Sequence, residues 1–301
     1  MQRVRHYIEY IFIVVLAFIV QNIPFKLGVF IMRLIGDIGF YVVKIRKKVA
    51  LDNLRFALGD TRTEYELLDI ARNVYHNFGI AILEIMRFPK MSLEDIKKAV
   101  VFEGKEYLDN ALRLGKGGVI VSGHLGNIEL LGQSFYAYGY PVSFLVGEQR
   151  NKFVDKIFNK YRSERGIKII RRDFPLRNVM KTLKRNEFVT VVSDQDAGAG
   201  GVFVDFFGKK ASTPQGAALF CLKSGAQMIF VCTVYSTERK QHRAIFTPVE
   251  IEKTGDLEKD IFTYTQKFTN ILESFVRQYP DQYFWLHRRW KTRPPEEKVN
   301  F

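Results

Sequence analysis

Five short, mainly apolar runs rich in β-branched and aromatic residues recur between residues 119 and 232, and their spacing restricts the fold more than any other feature. They cover residues 119–121, 142–146, 167–170, 188–192 and 228–232. Runs that are mostly apolar, with a lone Ser143, Lys168 or Thr190 rather than regular alternation with polar residues, are what strands buried on both faces require. Helical stretches lie between them, at 127–138, 153–165, 176–185 and 214–224. Strand and helix in alternation predict an α/β fold, a largely parallel sheet flanked by helices. Upstream, Leu67, Ala71, Val74, Phe78, Ile82 and Ile85 keep a helical period over 63–87, and Pro89 closes it.

The N-terminus follows another pattern. Residues 10–20 are apolar without a break, preceded by Arg3 and Arg5 and followed by Gln21, Asn22 and Pro24. A spanning helix needs about 20 apolar residues, so this run is short for one. A second apolar stretch, 25–43, is interrupted by Lys26, Arg33 and Asp37, contains Gly28, Gly36 and Gly39, and ends at Lys44, Arg46, Lys47 and Lys48. An anionic leaflet attracts such a cluster at roughly 1 kcal/mol per basic side chain near the surface. Residues 1–48 are therefore expected to form an N-terminal hydrophobic membrane-anchor helix with an amphipathic region, at or partly in the membrane. Residues 49–301 form the catalytic domain, and no linker or repeat divides them. The plain alternative is that 10–43 are core helices. No small-x-small cleavage site follows the apolar run, which argues against a signal peptide.

Lys and Arg number 46 against 32 Asp and Glu, a net charge of +14, so the surface attracts polyanions: nucleic acid, anionic lipid or an acidic carrier protein. The 26 Phe favour lipid over nucleic acid, because aromatic surface beside basic side chains suits a membrane interface. Cys221 and Cys232 sit among apolar residues and read as core side chains rather than a disulfide framework.

In a parallel sheet, ligands gather at the carboxyl ends of the strands. Two polar loops occupy such positions, Ser122-Gly123-His124-Leu125-Gly126-Asn127 and Ser193-Asp194-Gln195-Asp196. If a helix begins near Asn127, His124 sits just before it. Glu129, on the first helical turn, can then accept a hydrogen bond from one ring nitrogen and leave the other as a base. The H-x-x-x-x-E spacing alone is weak; its place after a strand and between glycines strengthens it. Asp194 and Asp196 either orient His124 from the neighbouring strand end or cap the turn. Arg150 and Arg165 are candidates for phosphate or carboxylate contacts, because a guanidinium forks onto such groups. There is no G-x-x-x-x-G-K-(S/T) loop, H-E-x-x-H or G-x-S-x-G elbow, and Gly198, Gly200 and Gly201 complete no dinucleotide fingerprint. No metal or cofactor is expected.

The stretch 122–129 resembles the H-x-x-x-x-(D/E) signature of glycerolipid and lipid A acyltransferases. Ser193-Asp194-Gln195-Asp196-Ala197-Gly198, Val204-Asp205-Phe206-Phe207-Gly208 and Ala211-Ser212-Thr213-Pro214-Gln215-Gly216 resemble later blocks of the lipid A lauroyl/myristoyl acyltransferase family. The closing Gln282-Tyr283-Phe284-Trp285-Leu286-His287-Arg288-Arg289-Trp290-Lys291-Thr292-Arg293-Pro294 is the most specific of these similarities. The resemblance implies a glycerolipid-acyltransferase-like fold, an inner-membrane anchor and a cytoplasmic catalytic domain. It also implies acyl transfer from acyl carrier protein to a hydroxyl of a Kdo-bearing lipid A precursor in lipopolysaccharide synthesis, with His124 and Glu129 as catalytic pair. Relatives of the wider family acylate other glycolipids, including phosphatidylinositol mannosides. A phospholipid acceptor, a thioesterase and a non-catalytic lipid-binding protein are the competing readings.

Overall fold

The computed structural model describes residues 2–147, 151–164, 166–171, 175–250 and 252–295. Helices α1 (Gln2–Asn22) and α2 (Phe25–Asp37), a π-helical turn (Ile38–Val43), α3 (Lys47–Leu58) and α4 (Glu64–Arg87) come first. The α/β body follows: α5 (Leu93–Ala99), β1 (Val100–Glu103), α6 (Glu106–Arg113), β2 (Gly118–Ser122), α7 (Ile128–Ala137), β3 (Val142–Val146) and α8 (Lys152–Ser163). Next come β4 (Lys168–Arg171), α9 (Pro175–Lys184), β5 (Phe188–Val192), a hairpin of β6 (Val202–Phe206) and β7 (Lys209–Thr213), and α10 (Gly216–Ser224). The long strands β8 (Gln227–Ser236) and β9 (Gln241–Val249) and helix α11 (Leu257–Gln278) precede the C-terminal segment.

Seven strands form one sheet in the order β1-β9-β8-β2-β5-β3-β4. From β8 to β4 all neighbours are parallel, whereas β9 is antiparallel to β8 and carries β1 parallel to itself. The mixed α/β architecture with a mostly parallel sheet is as the sequence predicts, and all five predicted runs are strands. The central strands are covered on both faces. In β2, Val119 and Val121 join the cluster that includes α10, α11 and the C-terminal segment, while Ile120 joins the opposite cluster with α6 and α7. Each such side chain contributes about 1.5–3 kcal/mol by leaving water.

The N-terminal apolar stretches form two separate helices. Among the described residues no helix is long and apolar enough to cross a membrane. Pro24 separates α1 from α2 and stands at the N-cap of the latter, so the two apolar stretches do not merge. Their inner faces meet α4 through Val20, Met32, Leu83 and Met86. The glycines that interrupt the pattern sit at this contact: a Cβ on Gly28 would lie 2.9 Å from Leu83 Cδ1, and a Cβ on α4's Gly79 would lie 2.9 Å from Met32 O. At Asp37 the α-helix passes into the π-helical turn, and the Asp37 carboxylate is paired. It takes a bidentate pair from Arg72 (2.7 and 2.9 Å) and a bond from His76 Nε2 (2.8 Å). The Arg72 guanidinium is the main reason its carboxyl is lowered to about 2; His76 acts in the same direction against the opposing effect of burial. The outer faces are apolar and exposed, with Phe12, Phe18, Phe30 and Val42 each more than 60 % accessible.

Candidate active site

Because β2 and β5 are hydrogen-bonded neighbours with Ser122 beside Val192, the loops that leave their carboxyl ends run side by side. Ser193 N–H donates to Ser122 O (2.9 Å), continuing the ladder one step into the loops. Gly123 then brings its backbone against the β5 loop: an added Cβ would meet Leu272 at 2.7 Å and Asp194 Oδ2 at 3.3 Å. At Gly126 the chain turns with φ +68°, and a Cβ there would lie 1.8 Å from Thr233 O, so no other residue fits without moving β8. Asn127 caps α7 by accepting from Leu130 N–H (3.0 Å), and its own amide donates to Glu84 Oε2 (2.7 Å). Glu84 in turn holds His242 Nε2 at 2.8 Å.

This geometry puts His124 on Asp194. The carboxylate takes the ring Nδ1 at Oδ1 (2.6 Å) and the His124 backbone N–H at Oδ2 (2.7 Å). Asp194 is 3 % accessible while the His124 side chain is 35 % accessible, so a buried anion supports a reachable ring. Burial alone would raise the Asp194 carboxyl, but the charge and two hydrogen bonds of His124, with Arg289 adding to them, hold it below the usual carboxylate range. An ionised carboxylate only accepts, so Nδ1 carries the hydrogen and Nε2 is the basic nitrogen. The Gln195 amide approaches Nε2 at 3.4 Å.

Glu129 is not the ring's orienting partner at Nδ1. Its two oxygens are engaged by Arg162 of α8, through Nε to Oε2 (2.9 Å) and through NH2 to Oε1. The loop explains the difference: with Leu125, the left-handed Gly126 and the cap Asn127 between them, the imidazole turns toward β5 and Glu129 faces α8. Arg162, itself largely buried, is a site residue the sequence does not single out. Of the arginines it does single out, Arg150 and Arg165 lie outside the described residues.

Asp196 serves a different partner from Asp194. Its carboxylate accepts from Thr292 N–H (3.1 Å) and Thr292 Oγ1 (2.9 Å), and its backbone N–H donates to His287 Nε2 (3.0 Å). The C-terminal segment crosses the β2 loop as a strap. Leu125 bridges Tyr283, Gly126 N–H donates to Gln282 O (2.9 Å) and Phe284 N–H donates to His124 O (2.9 Å). Arg289 of the strap is buried and donates to Ser212 O (2.6 Å) and Thr213 Oγ1 (2.5 Å). It packs the segment rather than presenting charge to solvent. Cys221 and Cys232 are buried, and burial pushes both thiols up, which removes them as nucleophiles. A cavity of about 650 Å³, lined by Lys116, Met228 and Pro248 among others, lies toward the other end of β2.

A buried aspartate, a reachable imidazole and a parallel sheet define a histidine-based site at the carboxyl ends of two adjacent strands. The chain belongs to the bacterial lipid A biosynthesis acyltransferase family, whose family model matches residues 1–292. It is 28 % identical over 278 residues to the lipid A biosynthesis palmitoleoyltransferase of Escherichia coli K12, covering 92 % of this chain and 89 % of that one. The lipid A biosynthesis lauroyltransferase of the same organism is 25 % identical over 297 residues, 96 % and 93 % of the two chains. A phosphatidylinositol mannoside acyltransferase of Mycobacterium tuberculosis is 25 % identical over 159 residues, about half of each chain (51 % and 50 %). The protein is accordingly an acyltransferase.

Proposed function

We propose that the chain moves a fatty acyl group from acyl carrier protein to a hydroxyl of a Kdo-bearing lipid A precursor, at the cytoplasmic face of the bacterial inner membrane. The observation that carries the chemistry is the Nδ1 bond to buried Asp194, which leaves His124 Nε2 as the base. Nε2 takes the proton of the acceptor hydroxyl as its oxygen attacks the thioester carbonyl. The tetrahedral intermediate collapses, the C–S bond breaks, and the departing thiolate recovers the proton from the imidazolium. A positioned base of this kind contributes ~10²–10⁴-fold to a rate. Asp194 stabilises the imidazolium while it lasts. Glu129 enters as the residue that fixes the Arg162 guanidinium on the helix following the base, where a cation suits an anionic lipid or a developing oxyanion.

Purified protein in mixed micelles with acyl carrier protein thioester and Kdo-lipid IVA is expected to give acceptor heavier by one acyl chain, read by mass spectrometry. His124→Ala should lower the rate at least about 100-fold. Release of free fatty acid without acylated lipid would mark a thioesterase. An arm with a phosphatidylinositol mannoside acceptor decides between glycolipid classes.

The exposed outer faces of α1 and α2, followed by Lys44, Lys47 and Lys48, suit a helix pair seated in the plane of an anionic leaflet. The positive surface also complements an acidic carrier protein. Binding to vesicles containing anionic lipid is expected to drop at least about tenfold when Phe12, Phe18 and Phe30 are all changed to Ser, since each aromatic contributes burial on the order of 1.5–3 kcal/mol. Flotation with unchanged recovery would rule out this seat.

A further inference from the structure

We propose that His287 is a positioning residue for the transfer reaction, its neutral ring holding the loop that presents Asp194 to His124. The inference rests on the functional reading above and adds to it a second histidine that does not touch substrate.

The His287 ring reaches the β5 loop from the strap. Its Nε2 is 3.0 Å from Asp196 N and accepts that amide hydrogen, which an imidazole does only when Nε2 carries no proton. Asp196 is two residues from Asp194, and the intervening Gln195 approaches His124 Nε2 at 3.4 Å. The loop is thus held by Ser193 N–H on Ser122 O, by the Asp194 carboxylate on His124, by the Asp196 carboxylate on Thr292, and by Asp196 N–H on His287. The far side of His287 is equally fixed. Its carbonyl accepts from Asn53 Nδ2 of α3 (2.6 Å), and Arg46 donates to the preceding carbonyl, Leu286 O (3.0 Å). A rigid anchor on α3 therefore extends through one ring nitrogen to the segment that carries the orienting carboxylate.

Four charged or titratable groups face the ring: Asp194 and Asp196 from the β5 loop, His124 from the β2 loop, and Arg289 from the strap itself. Burial is the largest influence and disfavours the imidazolium; His124 and Arg289 act with it, and the two aspartates oppose it. The net direction is below the ordinary histidine value of 6.5. With the folded pKa below the unfolded one, the bond is fully present above about 6.5 and is lost as the pH falls through the folded value. Protonation would turn the acceptor into a donor facing an N–H group. Asp196 N–H would then lose its partner, and Asp194 would lose one of the constraints that keep it on His124.

The test compares His287→Gln with His287→Ala in full-length protein. Glutamine can offer Oε1 to Asp196 N–H and does not titrate; alanine offers nothing. His287→Gln is expected to keep kcat within about threefold at neutral pH, with KM unchanged. At acid pH it should retain a larger share of its neutral rate than the wild type, its acid limb falling with the slope of one proton. His287→Ala should lose about tenfold in kcat at neutral pH. An acid limb of His287→Gln superimposed on that of the wild type overturns the proposal. So does a neutral kcat for His287→Ala equal to the wild type. A ¹⁵N-histidine NMR titration needs no turnover: the His124 midpoint should shift in His287→Ala and return in His287→Gln. Were the wild type inactive on every acceptor, the functional reading would fail, while this titration would still decide the role of His287.

Discussion

An Asp194→Asn variant is expected to keep the fold and lose about 10³–10⁴-fold in kcat, with KM nearly unchanged, because the substitution removes a directional constraint and little volume. The two Asp194 oxygens each accept one hydrogen bond from His124, at the ring and at the backbone. An asparagine has one oxygen and one NH₂ in the same place. If the oxygen stays on the backbone N–H, the NH₂ faces Nδ1, and the ring takes the tautomer with its hydrogen on Nε2. The base is then occupied by the proton it should remove. If the amide flips, the backbone N–H loses its acceptor and the loop shifts. Steady-state kinetics with a thermal melt of both proteins separate these effects from unfolding, and a kcat within threefold of wild type would sink the assignment of Asp194. The same change at Asp196 should be far milder, since that carboxylate binds Thr292 and not the base.

The contrast between these two aspartates shows where the sequence stops being legible. Both stand in one polar tetrapeptide after a buried strand, and chain position alone leaves both as orienting or capping groups. What separates them is strand order. The placement of β5 beside β2, with β3 beyond it, is a property of sheet assembly that no local pattern in 118–122 or 188–192 records. The same gap gave Glu129 to the wrong partner. Spacing places it one helical turn beyond His124, but the left-handed turn at Gly126 directs the ring away from α7. Arg162 was hidden for a related reason, being one of several basic residues along α8 and 33 residues from Glu129.

The strands tell the same story in reverse. Continuous apolar runs such as 188–192 are recognisable because both faces are buried. β9 alternates buried and half-buried residues and contains Pro248, so a search for continuous runs passes over it, as it does over four-residue β1. The N-terminal helices were visible as apolar sequence but not as a pair packed on α4. The Pro24 break and the glycine contacts at Gly28 and Gly79 acquire meaning only once the two helices meet α4.

Glu129 and Arg162 are expected to behave as one unit. Glu129→Ala and Arg162→Ala should each lower kcat/KM by about 100-fold, and the double variant should fall within a few-fold of either single one rather than near the 10⁴-fold product expected of independent sites. The reason lies in their mutual burial. Arg162 has a largely buried guanidinium whose fork matches both Glu129 oxygens, so removing either partner leaves the other charge without its counterion in a partly desolvated place. Glu129→Gln keeps one acceptor for the fork and should lose less than Glu129→Ala. Were Glu129 instead the partner that tunes the base, its removal would shift the acid limb of the kcat profile and Arg162→Ala would not. Under the pairing described here neither variant moves that limb, because the charge that stabilises the imidazolium belongs to Asp194. A double variant at the full product, or a displaced acid limb in Glu129→Ala alone, would return Glu129 to the role of orienting carboxylate.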